Sequence, residues 1–235
     1  MEPLEKYVKN LPGGKMLDAA TGHGCFVKIL AKSFKSYEQI IAIDLDPERL
    51  TKIEEESKLE NVSFKAMNLD QLDFKNDYFD TVAIRFSVHH LTNINQALSE
   101  MKRVLKPGGL FIICEMYRDN QNPKQENYTN LHHWWAEVDR VRNVPHYPTL
   151  LRNEMISHFD NLQLQSVKYV DHDFPSEDED SDDYEELDKI FNQYVDIVRQ
   201  YPGNDDLISK GQQILTTIKE GGMEPPSALF LFGRK

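Results

Sequence analysis

The chain has 235 residues, 40% of them hydrophobic, and a formal net charge of −12. That length suits one large domain, or a domain with a cap, and the apolar content can fill its core. The acidic balance argues against a nucleic-acid partner, which is held through clustered Lys and Arg, and no stretch reaches the roughly 20 apolar residues of a membrane helix. The charged start, MEPLEKYVKN, lacks an apolar signal core. Cys25 and Cys114 offer no disulfide framework, fit a reducing cytoplasm and are expected to be packing residues.

Residues 4–9 predict a short opening helix. KMLDAA predicts a buried first strand that ends in the small residues and glycines of TGHG. Apolar residues at Phe26, Val27, Leu30 and Phe34 have helical spacing. QIIAIDLD predicts a second strand ending in acid, and Pro47 opens a polar helix. VSFKAMNLD and FDTVAIRFSV predict strands three and four. Ile94, Ala97, Leu98, Met101, Val104 and Leu105 mark another helix, which KPGG stops before a fifth strand, LFIICEMY. Strands alternating with helices imply parallel strands joined by right-handed crossovers, a doubly wound α/β sheet.

The second half is less regular. NYTNLHHWWAEVDRVRN predicts a helix with Leu131, Trp134, Trp135, Val138 and Val141 on one face. TLLRNEMISHF predicts a helix capped by Thr149, and LQLQSVKYV a strand. The acidic run EDEDSDDYEE, residues 177–186, reads as a solvated loop running into a helix, since it lacks the spacing of a calcium loop. Two amphipathic helices and a last strand, SALFLFGRK, follow. The expected division is a core at 1–117, a lid at 118–148, a core helix and strand at 149–170, an acidic loop with helical cap at 171–226, and a final core strand at 227–235.

In open α/β sheets ligands sit at the carboxyl ends of the strands. The glycine turn lies there, and Asp44 ends the second strand, placed to accept hydrogen bonds from both hydroxyls of a ribose. Together they specify a nucleoside-containing cofactor. A dinucleotide fingerprint wants a third glycine, where this chain has Val27. Asp18, just ahead of the turn, would repel a pyrophosphate and suits an ammonium or sulfonium group.

With LDAATGHG, IAIDLDPERL, MNLDQLDFKNDYFDTV, RFSVHHL and EMKRVLKPGGLFII in order and register, the chain resembles the class I S-adenosylmethionine-dependent methyltransferases. Ala20 stands where that family usually has glycine, and Asn68 where it often has Asp. The resemblance implies a Rossmann-like sheet, mostly parallel with the last strand antiparallel, and an added helical lid. It implies that S-adenosylmethionine is the cofactor and S-adenosylhomocysteine the product. Asp18 and the backbone of Ala20, Thr21, Gly22 and Gly24 would hold the methionine part. Asp44 would hold the ribose and Leu45 lie beside the adenine, whose edge Asn68 and Leu69 meet; Arg85 would border the methionyl group.

The acceptor is expected to be a small molecule under the lid. His132 and Asp139 lie two helical turns apart on one side of the Trp134/Trp135 face, so a His oriented by an Asp could position or deprotonate it. His146 could close the pocket. His89 and His90 end the fourth strand, and His90 is a further catalytic candidate. No ligand spacing fixes a metal site, and none is assigned. The expected molecule is a cytoplasmic monomer or homodimer. Competing readings are a protein or RNA methyltransferase, a silent binder of S-adenosylmethionine, and an NAD-dependent oxidoreductase.

Overall fold

Seven strands form one sheet in the computed structural model, which describes residues 2–174 and 184–235. They are β1 (Lys15–Ala19), β2 (Gln39–Asp44), β3 (Val62–Ala66), β4 (Phe79–Arg85), β5 (Leu105–Met116), β6 (Gln165–His172) and β7 (Ala228–Arg234). The helices are α1 (Glu2–Val8), α2 (Cys25–Ser33), α3 (Pro47–Glu56), α4 (Ile94–Val104), α5 (Pro123–Val141), α6 (Arg152–Asp160), α7 (Glu185–Arg199) and α8 (Asp205–Gly221), with a 3₁₀ turn at Val88–His90. The sheet order is β3-β2-β1-β4-β5-β7-β6. β7 runs antiparallel to β5 and β6, and the other neighbouring pairs are parallel. This is the expected doubly wound, Rossmann-like α/β fold. The winding reverses between β1 and β4, so the loops after those strands diverge and leave a crevice at their carboxyl ends.

Strand alternation sorts side chains to two cores, one on each face. Met16, Ile40, Ala83 and Ile112 pack with Leu4, Val8, Phe26 and Leu30 on the α1/α2 side. Leu17, Ile41, Val82 and Ile113 pack with Leu98, Met101, Met155 and Phe159 on the α4/α6 side. The alternation puts Asp18 on the Met16 face, fully buried.

A third core joins α5 to α7 and α8, through Leu131, Trp134 and Val138 against Leu187, Phe191, Val195 and Ile218. Trp134 stacks on Phe191 at 5.1 Å, its indole N–H donates to the Leu207 carbonyl at 2.7 Å, and Gly211 leaves room for its ring. α5, from the expected lid, and α7 and α8, from the expected cap, thus share one helical layer though separate in sequence. Residues 177–183 of the acidic run lie outside the described residues; Glu185 and Glu186 open α7, where acid suits the helix N-terminus. Among the described residues no helix is long and apolar enough to cross a membrane.

Three local expectations are corrected. Cys25 is exposed at the start of α2 rather than packed, while Cys114 is buried, which pushes its thiol well up. KPGG does not precede β5 but lies inside it, as an irregularity where Phe79 pairs with Leu105 and Thr81 already with Leu110. The bulged residues are held by Lys106 on Asp80 at 2.6 Å and by the Gly108 amide on the Lys235 carbonyl at 2.7 Å. Finally, α6 starts at Arg152, where Glu154 accepts from the Leu151 amide at 2.8 Å. Thr149 turns inward instead, its amide donating to His133 Nε2 at 3.1 Å. Trp134 and Trp135 both reach the cap as expected, Trp134 within its core and Trp135 at its margin, with Tyr194 5.9 Å and 5.7 Å away.

Candidate active site

The turn after β1 is built from backbone. Ala20, Gly22 and Gly24 have φ of +53°, +56° and +73°. Glycine adopts that region freely, while Ala20 holds it under strain. The Thr21 amide bonds the Ile43 carbonyl at 2.8 Å, and Ser87 Oγ donates to the Ala20 carbonyl at 3.2 Å, which ties the turn to β2 and β4. A Cβ at Gly22 would meet nothing within 4 Å, so the turn faces open space; one at Gly24 would strike Ile53 at 2.7 Å.

Asp18 Oδ2 accepts from Thr21 Oγ1 at 2.6 Å, whereas Oδ1 is buried and forms no hydrogen bond among the described residues. Burial raises the Asp18 pKa to about 7, against the pull of the Thr21 hydroxyl and the Arg85 charge and with some help from Asp44. Asp44 accepts from the amides of Gly22 (2.9 Å) and Asp46 (3.2 Å), which aims its carboxylate across the mouth of the turn. Leu45 beside it is 70% exposed, an apolar surface at the mouth of the turn. Asn68 is exposed and its Oδ1 accepts from the Asp70 amide at 2.9 Å. The Leu69 side chain is buried in the α4/α6 core, so only its backbone can border a ligand. Arg85 lies over the Phe86 ring at 4.3 Å, and its Nε is buried without a hydrogen-bond partner among the described residues.

A second constellation sits above the same crevice. Tyr128, His132 and Trp135 are four and three residues apart along α5, so they share a helix face. Trp135 is 6.2 Å from His132, ring to ring, and its buried Nε1 forms no hydrogen bond. Burial raises the Tyr128 pKa, and the Arg85 charge opposes that. Asp139 does not touch His132. It accepts from His146 Nδ1 at 2.7 Å, and His146 Nε2 lies 3.2 Å from His132 Nε2. Burial, with the neighbouring histidines, lowers the His132 pKa to about 2. His89 and His90 lie on the 3₁₀ turn rather than on β4. His89 is buried on Glu115 at 3.0 Å, whereas His90 is exposed and its Nδ1 meets the Pro145 carbonyl at 3.2 Å.

The sequence reading missed three residues. Glu115 is buried in β5 and accepts from the Val88 amide (2.6 Å), the Met116 amide (2.9 Å) and His89. A lone acid in an apolar strand was the available signal, because a buried carboxylate requires partners. Tyr128 is one turn ahead of His132, and that i,i+4 spacing could have found it. Ser87 carried no signal.

An α/β sheet of this order, with a glycine turn after β1 and an acid after β2, defines a class of nucleoside-cofactor proteins. Residues 17–113 match the family described as methyltransferase domain. Over that segment the chain is similar to methyltransferase domains. It is 30% identical over 134 residues to the ubiquinone/menaquinone biosynthesis C-methyltransferase UbiE of Geotalea daltonii, covering 55% of each chain. The chain spans about half the length of the curated relatives it matches. Its fold is similar to that of YcgJ from Bacillus subtilis (TM-score 0.61, 18% identity, 100% and 97% of the two chains). It is also similar in fold to phosphoethanolamine N-methyltransferase 2 of Haemonchus contortus, solved with S-adenosyl-L-methionine (TM-score 0.58, 17% identity, 98% and 51%).

Proposed function

We propose that this chain binds S-adenosylmethionine at the glycine turn and catalyses transfer of its methyl group to a small-molecule acceptor held beneath α5. The observation that carries the reading is Asp18: a buried carboxylate oxygen with no hydrogen bond, beside a turn that opens on free space at Gly22. An unsatisfied buried acceptor costs about 1–3 kcal/mol, more when charged, and an ammonium group satisfies it. The residues present therefore fit the cofactor. Asp18 pairs with its ammonium, Asp44 accepts from the ribose hydroxyls, and Leu45 supplies an apolar surface for the adenine. The exposed Asn68 side chain and the Leu69 backbone border the adenine edge.

Bound there, S-adenosylmethionine supplies a methyl group on a sulfonium centre, open to in-line displacement. The charge disperses in that step, so placement and water exclusion can provide much of the rate. Arg85, Tyr128, His132 and Trp135 line the acceptor side. The unpartnered Arg85 Nε and Trp135 Nε1 are two donors for acceptor oxygens, which suits an oxygen-bearing ring compound. The comparison with UbiE, named for ubiquinone/menaquinone biosynthesis, supports that class. His132, held neutral by burial, is a positioning wall rather than a proton store. His90, on the exposed side, has no place in this scheme.

Calorimetry with S-adenosylhomocysteine and NAD tests the cofactor, and labelled methyl transfer into a quinol-type small-molecule fraction tests the reaction. Binding of NAD alone would sink the reading. His132→Ala is expected to lower turnover by about tenfold or more while leaving cofactor affinity nearly unchanged. Equal loss in both would place His132 at the cofactor instead.

A further inference from the structure

We propose that His89, His132 and His146 form a binding site for a zinc-class divalent transition metal, with Glu115 and Asp139 orienting two of the three ligands. One ring nitrogen of each histidine lies within 4.8 Å of those of the other two, and all three residues are buried. The 3.2 Å between His132 Nε2 and His146 Nε2 is close to one edge of a tetrahedron, given zinc–nitrogen bonds of about 2.0–2.1 Å. The ligands come from three places: the 3₁₀ turn, α5 and the segment that follows α5. Their convergence is therefore not a by-product of one helix face.

The hydrogen bonds set the tautomers. A carboxylate only accepts, so Glu115 Oε1 at 3.0 Å from His89 Nδ1 and Asp139 Oδ2 at 2.7 Å from His146 Nδ1 each call for a proton on that nitrogen. In a neutral ring the lone pair is then at Nε2, which in His146 is the nitrogen that faces His132. Carboxylate–histidine pairs of this kind orient the ligands of metal sites and raise their basicity. The supports are themselves held. Glu115 takes the Val88 and Met116 amides, and Asp139 takes the Arg142 guanidinium at 2.7 Å. The Tyr147 amide donates to the His89 carbonyl at 2.9 Å, and Arg140 donates to the His146 carbonyl at 3.1 Å.

A metal-free histidine cluster explains the His132–His146 contact, as one N–H between two nitrogens. It does not explain why His89, 3% exposed and held on Glu115, packs its ring against both of the others, 4.8 Å from His132 and 5.5 Å from His146. Three imidazoles favour zinc, copper or nickel over magnesium or calcium, which prefer oxygen. Three protein ligands also leave a fourth position for water, as in catalytic rather than structural zinc sites. A cleft of about 350 Å³, lined in part by Val88, Asn93 and Tyr147, reaches His89.

The test uses the whole chain, free of any histidine tag, stripped by a chelator and titrated with zinc, cobalt or magnesium chloride. The expected result is about one zinc or cobalt ion per chain, with the visible absorption of tetrahedral cobalt. Zinc raises the thermal midpoint and magnesium does not. His132→Ala and His146→Ala abolish binding, and Asp139→Asn weakens it by about 10–100-fold. X-ray absorption of the zinc-loaded wild type, which needs no variant to fold, should show nitrogen or oxygen ligands at about 2.0–2.1 Å and no sulfur. Absence of saturable binding by the wild type, a sulfur ligand, or affinity in folded His132→Ala within about twofold of wild type overturns the proposal. None of these readouts depends on methyl transfer.

Discussion

The two sides of the crevice are built in opposite ways. Below, the turn after β1 and the acid after β2 present backbone amides and two carboxylates from residues 18–46. Positive-φ residues and strand ends hold that side in place. Above, the cluster under α5 is made of side chains drawn from the 3₁₀ turn, β5, α5 and the segment after it. The lower side is bound to the sheet by strand register. The upper side is bound to it through side-chain contacts and the cap core of α5, α7 and α8. A substitution below should therefore act on the cofactor, and one above on acceptor, metal or cap stability.

The largest expected effect is that of Gly22→Val. A β-branched residue at φ +56° is strained by about 1–3 kcal/mol, and its side chain fills the open space of the turn. Affinity for S-adenosylhomocysteine should fall by about 100-fold or more in calorimetry, with the circular dichroism spectrum unchanged. Normal binding by the folded variant would move the ligand away from the turn and erase the comparison.

Asp44→Ala comes next. It removes a carboxylate expected to accept from two ribose hydroxyls, at about 1.5–3 kcal/mol per charged hydrogen bond at most. A loss of about 10–100-fold in affinity follows, smaller than for Gly22→Val because the turn itself survives.

Asp18 sharpens the contrast through pH. Its pKa is raised to about 7 in the free protein, so below that pH the folded state binds a proton that the unfolded state gives up above about 4. This group's share of stability is complete below the unfolded value and is lost as pH rises through about 7. Binding an ammonium favours the carboxylate. S-adenosylhomocysteine affinity should therefore rise about tenfold from pH 5.5 to 7, with proton release seen as a buffer-dependent binding enthalpy. Asp18→Asn should flatten the profile; an equally steep profile in that variant assigns the proton to another group.

The smallest effects separate the two tryptophans. Trp134→Phe loses the Leu207 hydrogen bond and part of the cap core, so it should lower stability by about 1–2 kcal/mol in denaturant titration without altering ligand response. Trp135→Phe should abolish a fluorescence change on acceptor binding and cost less stability than Trp134→Phe, since Trp135 packs only at the margin of the cap core, 5.7 Å from Tyr194. The opposite assignment would put the acceptor within the cap rather than under it.

The lower side was legible in the sequence because its information is local. A strand, a glycine turn and an acid twenty residues on are adjacent in space whenever the strands are parallel neighbours. Asp18, Gly22, Gly24 and Asp44 could thus be named together, and the α/β order followed from hydrophobic periodicity. Periodicity could not say that Leu69 turns its side chain into the core or that Cys25 faces out, since both depend on which neighbour covers them. On the upper side, His132 and Asp139 were rightly put on one helix. Only tertiary structure placed His146 between them, set His89 on Glu115, and buried Trp134 in the cap core while Trp135 bridged Tyr194 and His132. Those contacts between different elements join residues 7 to 73 positions apart. Their pairing is decided by how α5 docks against the sheet and against α7 and α8, which no local pattern encodes.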